Sequence, residues 1–295
     1  MATDMTVSVI IPTYNRSSYL VEAIDSVMSQ TYKACEVLVI DDGSSDDTRE
    51  AVNRYAGGIS YIYQDNKGPS AARNNGIRNA KGDLIAFLDS DDIWHPEKLE
   101  KQVAVFVENP SVGLIATGYV DIDTRYEPIK SIVLTSNEIN CAKRKELYKN
   151  FFATSSVMVQ KTCFYKAGLF NEELHFAEDW EMWIRILEYY SFDYIPELLM
   201  QYRVHPINIT STSLQKNMID WMKVIDMHSG NRSLIEDAIL RRKRISWLHL
   251  NHAIIYRNND IQLEILFMVK SILSWPIWFP RRYSTLLKTL WRVIR

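Results

Sequence analysis

Strand-like and helix-like segments alternate four times in the first 95 residues of this 295-residue chain. Residues 7–11, 36–40, 60–63 and 84–88 read as strands, the first mostly buried, the third short and the last a buried apolar run. Between them lie segments of helical periodicity. The first carries Leu20, Ile24, Val27 and Met28 on one face, the next covers residues 48–55, and the third runs through Ala71, Ala72 and Ile77. A further helix is expected from Pro96. This alternation predicts an α/β fold, a mostly parallel sheet with helices on both faces. In such sheets ligands sit beyond the carboxyl ends of the strands. The polar segments at Thr13, Asp41, Gly68 and Asp89 follow strands, so they are expected to converge there.

The fourth run meets the densest chemistry. Residues 84–88 stop at Asp89, Ser90, Asp91 and Asp92, which place three carboxylates within four positions. Like charges at a strand end repel unless a cation sits among them. A divalent metal holding a diphosphate suits them, because hard cations take carboxylate and phosphate oxygens together. The same acids also suit the dipole at the start of a helix near Pro96. The metal reading points to an enzyme acting on a nucleotide diphosphate.

Other segments carry similar double readings. Asp42, in Asp41-Asp42-Gly43-Ser44, can accept the N3–H of uracil or thymine, and it also suits an ordinary Asx-capped turn. Arg73 can reach a phosphate or lie on a solvated helix face. Asp179, beside Glu178 at an expected helix start, can take a proton from an acceptor hydroxyl or simply sit in the first turn. Arg203 and His205 suit a diphosphate or metal contact, and His205 before Pro206 also suits a turn.

The second half is less regular. Residues 112–118, 156–160 and 198–204 read as strands, residues 178–190 as a helix with Trp183, Ile186 and Leu187 in a stripe, and 214–274 as helical. Hydrophobic residues make up 47% of the chain and charged residues 24%, which predicts an ordinary folded core. A net charge of −2 gives no reason to expect a nucleic-acid partner. From Pro276 onward Arg281, Arg282, Lys288, Arg292 and Arg295 stand without an acid, next to Trp275, Trp278 and Phe279. Such a tail, residues 275–295, suits peripheral contact with an anionic membrane, or packing of its aromatics on the protein. The three cysteines show no metal-ligand spacing and read as reduced thiols. The first five residues lack a basic leader, and no run nears the roughly 20 apolar residues of a membrane span. A cytoplasmic location, at the inner face of the cell membrane, is therefore expected.

Taken together, the motifs resemble those of family 2 glycosyltransferases with the GT-A fold. The likeness covers roughly residues 5–210 and rests on Pro12-Thr13-Tyr14-Asn15-Arg16, Asp41-Asp42-Gly43-Ser44-Ser45-Asp46, Gly68-Pro69-Ser70-Ala71-Ala72-Arg73-Asn74, Phe87-Leu88-Asp89-Ser90-Asp91-Asp92-Ile93-Trp94 and Glu178-Asp179. It implies a GT-A type, Rossmann-like sheet in residues 1–213, with a nucleotide-sugar half to about 95 and an acceptor half over 96–213. Residues 214–295 form a helical extension outside the likeness. By resemblance, Pro12, Thr13, Tyr14, Asn15, Asp42, Arg73, Asp89 and Ser90 bind the nucleotide sugar, with Asp42 facing the base. Asp89 and Asp91 form the family's DxD element, with Asp91 the direct ligand of Mg²⁺ or Mn²⁺. Asp179 is the base for transfer with inversion. The implied partners are a UDP- or dTDP-sugar donor and a glycan or lipid-linked acceptor, as in surface polysaccharide assembly. A Gln-x-x-Arg-Trp stretch of the processive synthases is absent, which favours one transfer per encounter. A catalytically silent sugar-nucleotide-binding or scaffolding relative is the alternative.

Overall fold

The computed structural model describes residues 5–55, 57–145, 147–205, 214–228, 234–256, 260–276 and 281–294. The chain divides into two compact units: Met1–Lys145 with Phe151–Asn208, and Glu146–Asn150 with Ile209–Arg295.

The first unit begins with β1 (Val7–Thr13), α1 (Ser17–Met28), β2 (Glu36–Asp41), α2 (Thr48–Asn53), β3 (Ile59–Tyr63), α3 (Pro69–Asn79) and β4 (Leu84–Phe87). Every residue of β1 is buried, as a strand covered on both faces requires. These strands lie in the order β3-β2-β1-β4 and all pair in parallel. The chain winds outward from β1 to β3, then returns to the other side of β1. The order reverses between β1 and β4, and the loops after those strands diverge into a crevice. Helix α1 buries Leu20, Ile24 and Val27, whereas Met28, expected on the same stripe, is exposed in the last turn. Helix α3 lies against β1 so closely that a Cβ at Gly76 would stand 2.4 Å from Ile10 Cγ2, so only glycine permits the approach.

The sheet then changes character. β5 (Ile93–Trp94), α4 (Lys98–Glu108), β6 (Val112–Ile122), β7 (Pro128–Ile132), α5 (Ser136–Lys143), a 3-10 turn at Thr154–Ser156, β8 (Met158–Gln160), α6 (Cys163–Ala167), α7 (Glu178–Tyr189) and β9 (Ser191–Arg203) follow. The sheet runs on from β4 through β8, β6 and β9 to β5, with β7 on β6. β8 is antiparallel to β4 and β6, while β9 is parallel to β6. β9 begins at Ser191, well before the expected 198, because exposed residues such as Asp193 and Glu197 interrupt its apolar run. β5 has two residues and β7 is largely exposed, so neither leaves a strand signal in the sequence.

The second unit holds α8 (Leu214–Met227), α9 (Leu234–Tyr256), α10 (Ile261–Ser274) and α11 (Arg281–Ile294). Its buried core is aliphatic, built on Val224, Ile225, Leu248 and Met268, and half-buried aromatic rings join the helices around it. Trp221 meets Trp247 with ring centroids 5.7 Å apart, and Phe267 meets His252 at 5.2 Å. No helix among the described residues is long and apolar enough to cross a membrane. Of the aromatic-cationic tail, Ile277, Trp278, Phe279, Pro280 and Arg295 lie outside the described residues.

Candidate active site

The strand ends at the crevice hold one another by side chains. Pro12 and Thr13 finish β1 buried, and Thr13 Oγ1 has no hydrogen-bond partner. Tyr14 is half exposed beyond them. Asn15 adopts a left-handed backbone (φ 50°) and braces the loop after β2: its amide donates to Ser44 Oγ at 2.9 Å, and its Oδ1 accepts from the Ser45 amide at 2.8 Å. The Asp41 carboxylate closes that loop by accepting from the Ser44 amide at 2.8 Å. Asp42 looks across to α3. It accepts from Gln64 Nε2 at 2.7 Å, the Lys67 amide at 2.9 Å and the Gly68 amide at 2.8 Å. Gly68, at φ 89°, and Pro69 then start α3, whose Ser70 hydroxyl is buried without a partner. An ionised carboxylate has about four acceptor sites, so three donors leave Asp42 room for one more.

β4 delivers the acidic cluster, and each carboxylate has a partner. Asp89 Oδ1 accepts from Arg73 at 2.7 Å. Asp91 Oδ2 is paired with Arg16, and His205 Nε2 lies 3.0 Å from the same oxygen. Burial pushes the Asp91 carboxyl up, but the His205 hydrogen bond and the Arg16 charge outweigh it and hold the group below the usual range. Asp92 is fully buried. Its Oδ2 accepts from Ser155 Oγ at 2.6 Å and its Oδ1 from the Arg203 amide at 3.1 Å. Burial, followed by the charges of Asp91 and Asp89, raises its pKa well above the ordinary value. Ser90, between them, is buried too.

The end of β9 closes over this cluster. Arg203 Nε donates to the Asp91 carbonyl at 3.0 Å and its NH2 to Glu22 of α1 at 2.5 Å. Tyr19, one turn earlier on α1, lies 4.8 Å from the Arg203 guanidinium and stacks on His205 with centroids 5.3 Å apart. One face of α1 thus places both Arg203 and His205. Neither Tyr19 nor Glu22 belongs to a motif, and only the fold brings them here.

The second acidic pair opens α7. Ala177, before the helix, is left-handed at φ 58° and offers no side-chain cap. A non-glycine residue held there marks a backbone fixed by its surroundings. Glu178 is buried and accepts from Arg73 NH1 at 2.7 Å, so a single guanidinium spans Asp89 and Glu178. Burial, with Asp179 adding, pushes the Glu178 carboxyl up to about 7 against the pull of Arg73. Asp179 is partly exposed. Its Oδ2 accepts from Thr154 Oγ1 at 3.1 Å and its Oδ1 from the Trp180 amide at 2.7 Å. The 3-10 turn links both clusters, since Thr154 holds Asp179 while Ser155 holds Asp92 and accepts from the Asp89 amide at 3.0 Å. Thr154 and Ser155 have no sequence signature beyond an interrupted strand pattern.

Asp89, Asp91, Arg73, Asp179, Arg203 and His205 therefore meet at one place, and Asp42 stands at the other end of the α3 loop. The donor set at Asp91 is one carboxylate oxygen beside one imidazole nitrogen. Among the described residues no group of three or more His, Cys, Asp or Glu side chains could hold a metal by themselves. Two protein ligands fit a hard divalent cation whose remaining positions are taken by phosphate and water.

Comparison with known proteins agrees with this architecture. The family profile described as Glycosyl transferase family 2 matches residues 8–173. An uncharacterized glycosyltransferase of Rickettsia typhi is 34% identical over 218 residues, covering 71% of this chain and 67% of that protein. One of Methanocaldococcus jannaschii is 32% identical over 205 residues, covering 67% of this chain and 70% of that protein. Among solved structures, Staphylococcus aureus TarS 1–349 in complex with UDP-GlcNAc superimposes with a TM-score of 0.67 at 19% identity, over 90% of this chain and 82% of that one. The mannosyltransferase PcManGT from Pyrobaculum calidifontis, in complex with GDP-Man and Mn²⁺, gives 0.64 at 19%, over 97% and 85%. At those identities the likeness is one of fold, the GT-A arrangement of a central sheet flanked by helices.

Proposed function

The chain belongs to glycosyl transferase family 2, and we propose that it moves a sugar, with inversion, from a nucleotide-diphosphate sugar to a hydroxyl of a glycan or lipid-linked acceptor in surface polysaccharide assembly. The observation that carries this reading is the Arg73 bridge. One guanidinium ties Asp89, at the end of β4, to Glu178, whose neighbour Asp179 is the base.

Each residue has a part in the reaction. Asp42 accepts the N3–H of a uracil or thymine through its remaining lone pair, which favours UDP- or dTDP-sugars. Thr13 and Tyr14 line the nucleoside site. Arg73 holds Asp89 oriented beside the ribose. Asp91 and His205 would hold Mg²⁺ or Mn²⁺, and Arg16, which neutralises Asp91 here, gives way to it. Such a cation supplies charge to the leaving diphosphate. Asp179 takes the proton of the acceptor hydroxyl as its oxygen bonds to the anomeric carbon. The bond from that carbon to the phosphate oxygen breaks on the opposite face, and its electron pair leaves with the nucleoside diphosphate. The partial exposure of Asp179 suits a group that must meet an incoming acceptor.

The test is a thermal-shift screen of UDP-, dTDP-, GDP- and CDP-sugars with and without Mn²⁺, because a ligand that binds the native state raises its apparent stability. Stabilisation by a UDP- or dTDP-sugar that needs the metal is the expected result. Stabilisation by GDP-sugars alone would remove Asp42 from base recognition. No shift with any donor, in folded protein, would point to a relative without transferase activity.

A further inference from the structure

Helices α10 and α11 differ from ordinary surface helices in that Glu264, Ser271 and Thr289 point inward and are paired there while leucines face outward. On α10, Ser271 Oγ donates to the Ser246 carbonyl of α9 at 2.6 Å, and Ser246 Oγ returns a bond to the Ser271 carbonyl at 2.8 Å. Glu264, fully buried, accepts from Thr289 Oγ1 of α11 at 2.8 Å. Outward, α10 presents Leu266, Val269 and Leu273, and α11 presents Tyr283, Leu287 and Leu290, all exposed. Both sets have helical spacing, so each forms one stripe along its helix. Leu273 is 78% exposed and Leu287 is 67% exposed. A helix in water ordinarily puts its serines out and its leucines in. Apolar stripes outside, with the inward polar groups paired with one another, suit an apolar surrounding.

Charge selects that surrounding. Residues 261–295 carry Lys270, Arg281, Arg282, Lys288, Arg292 and Arg295, and the one acid, Glu264, is buried against Thr289. Lys270 and Lys288 are exposed beside the stripes. A second copy of this chain would bring cations against cations. An anionic bilayer answers both features, with acyl boundary for the leucines and headgroup phosphates for the lysines and arginines. Each helix has 14 residues, too short to span, so the geometry is that of helices lying in the interface.

We infer that α10 and α11 dock this protein on an anionic lipid surface through Leu266, Val269, Leu273, Leu287 and Leu290, with Lys270 and Lys288 on the headgroups. The test is co-sedimentation of the full chain with phosphatidylcholine vesicles, with and without phosphatidylglycerol. Binding is expected to vesicles containing phosphatidylglycerol and to weaken as salt is raised. The paired change Leu273→Glu and Leu287→Glu should abolish it. Both side chains are largely exposed, so folding is preserved, which an unchanged thermal midpoint checks. Lys288→Glu alone should weaken binding by about fivefold or more. Equal binding to neutral and anionic vesicles, or no binding to either, overturns the inference. So does a dimer in sedimentation velocity that the same leucine changes dissociate, since the stripes would then serve a second copy.

Discussion

The two acidic clusters of the crevice are close in composition and opposite in condition. At the end of β4, Asp89, Asp91 and Asp92 are each met by a cation, a hydroxyl or a backbone amide, and Asp92 is fully buried. At the start of α7, Glu178 is buried on Arg73 while Asp179 stands partly open on Thr154. The first cluster fixes Asp91 beside cationic partners, which suits binding a polyanion through a cation, while Asp92 beneath it is buried where charge is disfavoured. The second separates its acids: one buried to lock the helix start, one presented to solvent. Sharing Arg73 makes them one device, because neither can move without the other losing its counter-charge. Acids therefore differ in role through what neutralises them, which the sequence does not record.

The largest effect expected comes from breaking that shared link. Arg73→Ala leaves Asp89 and Glu178 without their cation, and loss of one partner from a buried ion pair costs about 3–5 kcal/mol. Urea unfolding measures it, and a loss below about 1 kcal/mol would show the clusters to be independent. Next, Asp179→Asn keeps the shape and removes the proposed base. Turnover should fall by about 10² or more with donor affinity unchanged, and near-normal turnover would shift the base role elsewhere. The contrast at Asp91 is smaller and has two signs. Asp91→Asn should abolish the Mn²⁺ binding that calorimetry measures in the presence of UDP, whereas Arg16→Gln should strengthen it several-fold because no cation need be displaced. Weaker Mn²⁺ binding in Arg16→Gln would mean that Arg16 supports the site instead of competing for it.

The smallest effect is a pH slope. Glu178 has a folded pKa pushed up to about 7, above its ordinary value. A raised carboxyl contributes stability that is full below the unfolded pKa and lost as pH rises through the folded one. The wild-type midpoint should therefore fall relative to Glu178→Gln between about pH 5 and about pH 8. Parallel curves would mean that Arg73 keeps Glu178 ionised throughout.

Legibility in the sequence followed burial for most strands; β3 is the exception, read at 60–63 although none of its residues is fully buried. Strands covered on both faces leave continuous apolar runs, so β1, β2 and β4 were readable. The half-exposed β9 and β7 mix polar and apolar residues and gave a late start or no signal. Asp42, Asp89, Asp91 and Arg73 stand in short motifs after readable strands. Their partners Thr154, Ser155, Tyr19 and Glu22 do not, because a lone hydroxyl, ring or acid on a helix or turn looks like any other until something packs against it. Likewise α10 and α11 read as helices, but the inward direction of Glu264 and Ser271 was hidden.

By itself the sequence determined the alternation of strand and helix and the family motifs that follow the strands, because local periodicity and turn chemistry act over a few residues. Tertiary structure alone decided that Arg73 spans Asp89 and Glu178, that Thr154 and Ser155 join the two acidic clusters, and that Tyr19 seats His205 on Asp91. Those contacts link residues up to 186 positions apart, as in Tyr19 to His205 (205 − 19), and only the assembled sheet and its helices bring such groups into contact.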